Sequence, residues 1–211
     1  MINEKTLFRL LLLCLLAIGF TTFHHYILDL KVLEINTLSK KISQNQLDKI
    51  VNASQSNEYL NYIVVPINIF VKVVITALLL LFGCTLFNVK IHLKKLIRLT
   101  ITAEFLFLLP ILYEITYFKF IESNHSYIYI QNFSSLSFFN LINNIDVEPW
   151  LIYPLQTLNL FELAYIIYLS YQIGCISKTN FNTGLKIVGY SYVPALLLWV
   201  AVVMFFTLNN S

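Results

Sequence analysis

Charge is what this chain lacks most. Only 12% of its 211 residues are Asp, Glu, Lys or Arg, against about 25% in an ordinary soluble domain. A larger soluble core does not account for the deficit, because a domain of this length still needs polar groups over its surface. With 58% of residues hydrophobic, lipid is the solvent the composition calls for. Cysteine is also sparse. Cys14, Cys84 and Cys175 lie inside apolar runs, and none has a second Cys or a His at ligand spacing, so neither a disulfide framework nor a zinc site is expected. The net charge is only +3, which gives no case for nucleic acid.

Reactive motifs are missing as well. There is no nucleophile elbow, P-loop, GxGxxG or HExxH pattern, each of which marks a specific chemistry. His24, His25, His92 and His125 fall at or beyond the ends of apolar runs without a ligand-type partner one helical turn away, so no metal is expected. His24-His25 reads as an interfacial pair. The chain is therefore expected to be non-enzymatic and to carry no cofactor.

What is present is a series of long apolar runs. About 20 such residues in a helix cross a hydrocarbon core of roughly 30 Å. Two runs organise the rest. Ile63 to Val89 holds Lys72 as its single charge, and the third run, to Phe118, holds Glu104 and Glu114. Between them lies a basic hinge of Lys90, His92, Lys94, Lys95 and Arg98. A tight Lys/Arg cluster between two spans marks the cytoplasmic side, and its alternating apolar residues let it lie in the interface.

The full reading is an all-α, polytopic membrane protein forming a single domain over 1–211. Five transmembrane helices cover about 7–26, 63–89, 100–118, 151–176 and 187–208. Lys5 and Arg9 place the N-terminus inside, and Lys178 and Lys186 mark a second cytoplasmic turn. The C-terminus then falls outside. A signal peptide is the rival reading of the first run, with Ala17 and Gly19 as a weak small-x-small cleavage site. An uncleaved anchor is favoured because the rest of the chain is itself apolar.

Two external stretches, 28–62 and 119–150, follow from that topology. In the first, Ser43 and Gln46 have capping-box form, and Leu47, Ile50 and Val51 predict a short amphipathic helix. In the second, Ser134-Ser-Leu-Ser137 precedes Phe138, Phe139, Leu141 and Ile142, which predicts a capped short helix with an aromatic face. Trp150 and Tyr153 stand where an aromatic belt belongs.

The residues with chemical potential are the four charges within spans: Lys72, Glu104, Glu114 and Glu162. Each costs about 2.5 to 3.5 kcal/mol at bilayer depth and persists where paired, hydrated or useful. Lys72 is expected to pair with Glu114 or Glu162 as interhelical glue, and Glu104 with Lys94, Lys95 or Arg98. The alternative is a proton or substrate relay through Glu162 and Lys72. Glu104 and Glu114 are ten positions apart and do not share a helix face, so no paired-carboxylate site is expected. Ser170 with Gly174, and Ser191 with Ala195, are small-xxx-small pairs read as packing between the last two spans. Tyr165, Tyr168 and Tyr171 follow Glu162 at helical spacing, read as an aromatic ridge with hydrogen-bonding reach to Glu162 or Lys72.

Two stretches, LFGCTLFNVKIHLKKLIRLT at 81–100 and NLFELAYIIYLSYQIGCISKTNFNTGLKIVGYSYVP at 159–194, carry a resemblance. In them a basic amphipathic segment leads into the third span, and an Asn-Leu-Phe entry precedes a short turn and the last span. The pattern over about 63–208 resembles the Yip family of five-span membrane proteins, which are named for interaction with small GTPases. It is closer to the family's bacterial members. The family's Asp-Leu-Tyr-Gly-Pro type motif has no counterpart here. The resemblance implies a bacterial inner-membrane location with a periplasmic C-terminus, and no catalytic residues. The expected role is a membrane adaptor or accessory subunit with lipid and a membrane protein as partners. The alternative is a small transporter or permease subunit that uses Lys72 and Glu162.

Overall fold

The structure, a computed structural model, describes residues 4–39, 43–122, 127–142 and 147–210. The secondary structure is helical, and the one β-type pairing among the described residues is an isolated bridge between Ser137 and Asn159. Five helical segments are long and apolar enough to cross a membrane: Glu4–Ile27, Tyr62–Leu86, Leu93–Phe120, Leu160–Ser177 and Phe181–Asn209. The fold is an all-α polytopic membrane fold.

The first span is helix α1 (Glu4–Ile27), and a nine-residue helix α2 (Leu30–Leu38) follows it. The second span does not begin after a separate surface helix. Helix α3 runs unbroken from Gln44 to Leu86 through Pro66, so the expected amphipathic helix is its first part. The Ser43–Gln46 capping box forms at its start, with the Ser43 N–H donating to Gln46 Oε1 over 3.3 Å. Leu47 is buried; the side chains of Ile50 and Val51 lie outside the described residues.

The third span is interrupted. Helix α4 (Leu93–Glu104) passes through a 3-10 turn at Phe105–Phe107 into α5 (Leu108–Phe120). Pro110 explains the break, because it lacks the N–H that would bond the Leu106 carbonyl one turn earlier. The span also starts earlier than the expected Thr100. Lys94, Lys95 and Arg98 are residues of α4 itself, exposed on one face while Leu96 and Leu99 are buried on the other.

Between the third and fourth spans lie two short helices, α6 (Tyr127–Asn132) and α7 (Phe138–Leu141). Ser137 precedes α7 but does not cap it; its hydroxyl donates to the Ser134 carbonyl over 2.9 Å. Phe139 is buried, whereas Phe138 and Leu141 are exposed. The fourth span is broken too. Helix α8 (Pro149–Thr157) ends at Leu158, and α9 (Leu160–Ser177) starts after Asn159. The preceding loop supplies the missing partners: Phe138 N–H donates to the Leu158 carbonyl over 3.0 Å, and Leu160 N–H to the Leu136 carbonyl over 3.2 Å. Irregular backbone at membrane depth is tolerated where protein buries and satisfies it. The last helix, α10, spans Phe181–Asn210 with Pro194 inside.

The main core joins α3, α4, α9 and α10. Ala77, Leu80, Cys84, Leu96, Ala103, Tyr165, Leu169, Ile173 and Ile187 meet there. Small residues set the approach of the backbones. A Cβ at Gly184 would overlap the Ser170 carbonyl, and one at Gly174 would come within 2.9 Å of the Asn180 carbonyl. The Ser191 pair does not serve that contact. Ser191 meets Gly83 of α3 instead, where an added Cβ would lie 2.7 Å from its hydroxyl. Helix α1 joins separately, through Leu13 and Ala17 against Leu108. Arg9 donates to Thr102 at one end over 3.4 Å, and His24 reaches Glu114 toward the other, so α1 runs parallel to the third span.

Candidate functional site

Lys72, Glu104 and Glu162 come together where α3, α4, α9 and α10 cross. Lys72 lies about 21 Å along α3 from Leu86, and Glu104 about 17 Å along α4 from Leu93, at 1.5 Å per residue. Both are therefore near mid-depth of a roughly 30 Å core. This places Glu104 deeper than its expected position beside the hinge cations, because α4 begins at Leu93.

The pairing differs from the expected one. Lys72 Nζ stands 3.2 Å from Glu104 Oε2, rather than at Glu114 or Glu162. It also lies over the Phe107 ring, 3.2 Å from the centroid, and 5.3 Å from that of Tyr165. An aromatic face attracts an ammonium, and more strongly away from water. The 3-10 turn set by Pro110 contains Phe107, so the break in the third span carries one wall of the site. Tyr165 OH donates to Glu104 Oε1 over 2.7 Å, with Thr76 in reach of the same hydroxyl. Glu104 is thus held by a cation on one oxygen and a phenol on the other.

Glu162 occupies the first turn of α9 rather than the middle of a continuous span. The α8–α9 break puts it there, and Asn159 caps the turn by accepting the Glu162 N–H over 2.8 Å. A carboxylate in the first turn is favoured by the helix dipole. Tyr192 of α10 donates to Glu162 Oε1 over 2.7 Å, and the Tyr165 and Tyr192 rings are 5.5 Å apart. That ring contact joins the Glu162–Tyr192 pair to the Tyr165–Glu104–Lys72 chain. The site is one connected unit: a cation, two carboxylates and two phenols from four helices. It can hold charge and bind it across helices. Among the described residues no group of three or more His, Cys, Asp or Glu is placed to hold a metal ion.

Glu114 belongs to a different place. Its Oε2 lies 3.4 Å from His24 Nε2, a contact that is an ion pair when the imidazole is protonated. The two are not aligned as a hydrogen bond, and Nε2 is otherwise without a partner. Ser135 Oγ is 3.2 Å from Glu114 Oε1 and 3.0 Å from the Pro110 carbonyl, so one hydroxyl serves two acceptors. Glu114 thereby ties α5 to α1 and to the inserted loop. Lys90, Lys94, Lys95 and Arg98 remain at the opposite end, exposed. His92 is exposed there as well, and His125 lies outside the described residues. Tyr168 and Tyr171 do not join the cluster through any side-chain hydrogen bond described; Tyr171 is exposed.

A cleft of about 1050 Å³ opens between α1, α2, α3 and α6, lined by Thr21, His25, Glu34, Tyr62 and Tyr127 among others. It does not include Lys72, Glu104 or Glu162. Burial first, then the Glu34 carboxylate, holds the Tyr127 phenol above its ordinary range.

Sequence reading did not pair Tyr165 or Tyr192 with the carboxylates they serve. Tyr165 sits one helical turn from Glu162 yet bonds a residue 61 positions away, and nothing in the sequence marks that reach. The fold and this cluster define a five-span helical membrane protein with a buried polar centre. Comparison of the chain with protein-family models, with curated proteins and with solved structures finds no match.

Proposed function

We propose that the chain is a non-enzymatic membrane adaptor, an accessory subunit of an envelope or trafficking complex. It would lie in the bacterial inner membrane with its N-terminus in the cytoplasm and its C-terminus in the periplasm, as a Yip-type protein would. One observation carries this reading. The Lys72 side chain remains 40% exposed while its partner Glu104 is 5% exposed. The charge pair therefore sits at the rim of the bundle, flanked on α3 by exposed Val71 and Ile75. A charged side chain that is partly uncovered at mid-depth is expensive in lipid, and a partner helix laid over that flank removes the cost.

Photo-crosslinkers at Val71 and Ile75 test the proposal in native membranes. The expected result is a discrete adduct with another membrane protein, weakened by Lys72→Met. Adducts with lipid alone, together with recovery of the chain by itself at native expression, would refute it.

A second reading rests on a different observation. Glu162 sits at a break in its span, and broken helices beside charged residues are a feature of transporter sites. On that reading the chain is a small transporter or permease subunit using Lys72 and Glu162. Lys72→Met and Glu162→Gln then abolish function in a growth or transport assay. If both variants work while a Lys94/Lys95/Arg98 variant fails, the relay is excluded.

A further inference from the structure

The charges toward the two ends of the bundle are distributed unevenly. One end of the bundle presents Lys90, Lys94, Lys95 and Arg98 from the α3–α4 linker and α4, and Lys178 and Lys186 from the α9–α10 turn and the start of α10. Helix α1 adds Lys5 and Arg9 at the same end, where Glu4 is the one acidic residue among those described. At the opposite end Asp29, Glu34, Glu122 and Glu148 stand together with Lys31 and Lys119, so acids outnumber bases there among the described side chains.

These cations are held in place by the fold. The linker is pinned by Val89 N–H donating to the Cys84 carbonyl over 2.8 Å and by burial of Ile91. Burial of Leu96 and Leu99 turns Lys94, Lys95 and Arg98 outward. Across the bundle, Thr179 N–H donates to the Gly174 carbonyl over 2.9 Å, and Asn180 caps α10 by accepting the Thr183 N–H over 2.9 Å. The charge therefore sits on two packed hairpins, α3–α4 and α9–α10.

The neighbours of these cations identify the occupant. Near them along the chain Leu86, Phe181 and Leu185 are exposed, and Phe82 is exposed one turn deeper on α3. Cations at the ends of helices whose next apolar side chains are uncovered match a phospholipid, which offers an anionic phosphate over acyl chain. A soluble acidic protein would leave the apolar row unmatched. Ammonium and guanidinium groups bond phosphate oxygens strongly, and basic residues beside a span are attracted to anionic leaflets. We propose that this end of the bundle is a binding surface for the headgroups of anionic phospholipids, with Lys94, Lys95 and Arg98 on one flank and Lys178 and Lys186 on the other.

The test uses the full chain exchanged into nanodiscs of equal parts phosphatidylglycerol and phosphatidylcholine, released and analysed by native mass spectrometry. The expected result is preferential retention of phosphatidylglycerol. The K94Q/K95Q/R98Q variant should lower that preference by up to about fivefold for each of the three charges removed, and raised salt should lower it further. K178Q/K186Q, on the other hairpin, provides an independent second variant with the same expected direction. Equal retention of both lipids by the wild-type chain would overturn the proposal. So would an undiminished preference in the two variants, or crosslinks from position 94 that run to an acidic protein instead of lipid. The partner proposed at Lys72 is read from different positions, so either idea can fail alone.

Discussion

At Gly184 the α10 backbone runs so close to α9 that a Cβ would overlap the Ser170 carbonyl, whereas at Gly19 of α1 nothing lies within 4 Å. The same contrast runs through both regions. The bundle of α3, α4, α9 and α10 buries Leu80, Leu96, Tyr165, Leu169 and Ile173 almost completely. Helix α1 buries Thr6, Leu13 and Ala17 among its described residues and leaves Phe8, Leu11 and Leu15 exposed. In lipid there is no hydrophobic force between helices, so close backbone approach and interhelical hydrogen bonds must hold them. The bundle has both; α1 has one small apolar cluster around Leu13, Ala17 and Leu108 and two polar ties.

The largest expected effect breaks the bundle at its tightest point. Gly184→Leu should abolish the native α9–α10 hairpin, because the obstacle is backbone and no rotamer relieves it. Gly19→Leu should leave stability unchanged within about 0.5 kcal/mol, as surface substitutions do. Denaturant titration in mixed micelles, followed by circular dichroism, measures both. Equal losses at the two glycines would erase the distinction between the regions.

Next comes the charge pair. Lys72→Met leaves the buried Glu104 carboxylate without its cation, at a cost of about 3 kcal/mol. Adding Glu104→Gln should recover more than half of it, since the uncompensated charge is then gone. A double variant no better than Lys72→Met would show that Lys72 acts through packing on Phe107 and Tyr165 instead. The phenols come third. Tyr165→Phe and Tyr192→Phe each delete an interhelical hydrogen bond, worth about 0.6 kcal/mol on average and up to about 1.7. The Tyr165 variant should cost more, because Tyr165 is fully buried and its acceptor Glu104 nearly so, whereas Glu162 is only partly buried.

The spans, their number and the basic hinge were legible because lipid solvation writes itself into twenty-residue apolar runs. Lys72, Glu104, Glu114 and Glu162 were legible as charges within spans for the same reason: each interrupts such a run. Their pairing was not. It depends on where each helix starts and breaks, and two local features moved those points. Leu96 and Leu99 carry the third span back to Leu93, so Lys94, Lys95 and Arg98 of the hinge lie in the first turns of a helix. Asn159 stands three residues before Glu162, a capping spacing, and it starts a new helix where apolarity alone reads straight through. The inserted loop was legible as Ser134 to Ser137, but its role in completing the α8–α9 break was not. Backbone pairing across 22 residues leaves no side-chain pattern.

The smallest expected effect lies on α1 and sharpens the contrast from its weak side. His24 meets Glu114 without hydrogen-bond alignment, and Arg9 meets Thr102 at an exposed position. Contacts of this kind are worth about 0–1 kcal/mol. His24→Gln and Arg9→Gln should therefore each cost less than about 1 kcal/mol, and the double variant no more than their sum. The bundle itself should be unaffected, because Glu114 keeps its Ser135 contact and shares no partner with Lys72 or Glu162. What changes is the docking of α1. Cysteine pairs placed across α1 and α5, at Leu13 and Leu108, should crosslink more slowly in the double variant, while unfolding of the four-helix bundle shifts little. If instead both transitions move together, α1 belongs to the same cooperative unit as α3, α4, α9 and α10, and the division of the molecule into a tight bundle and a loosely tied helix is wrong.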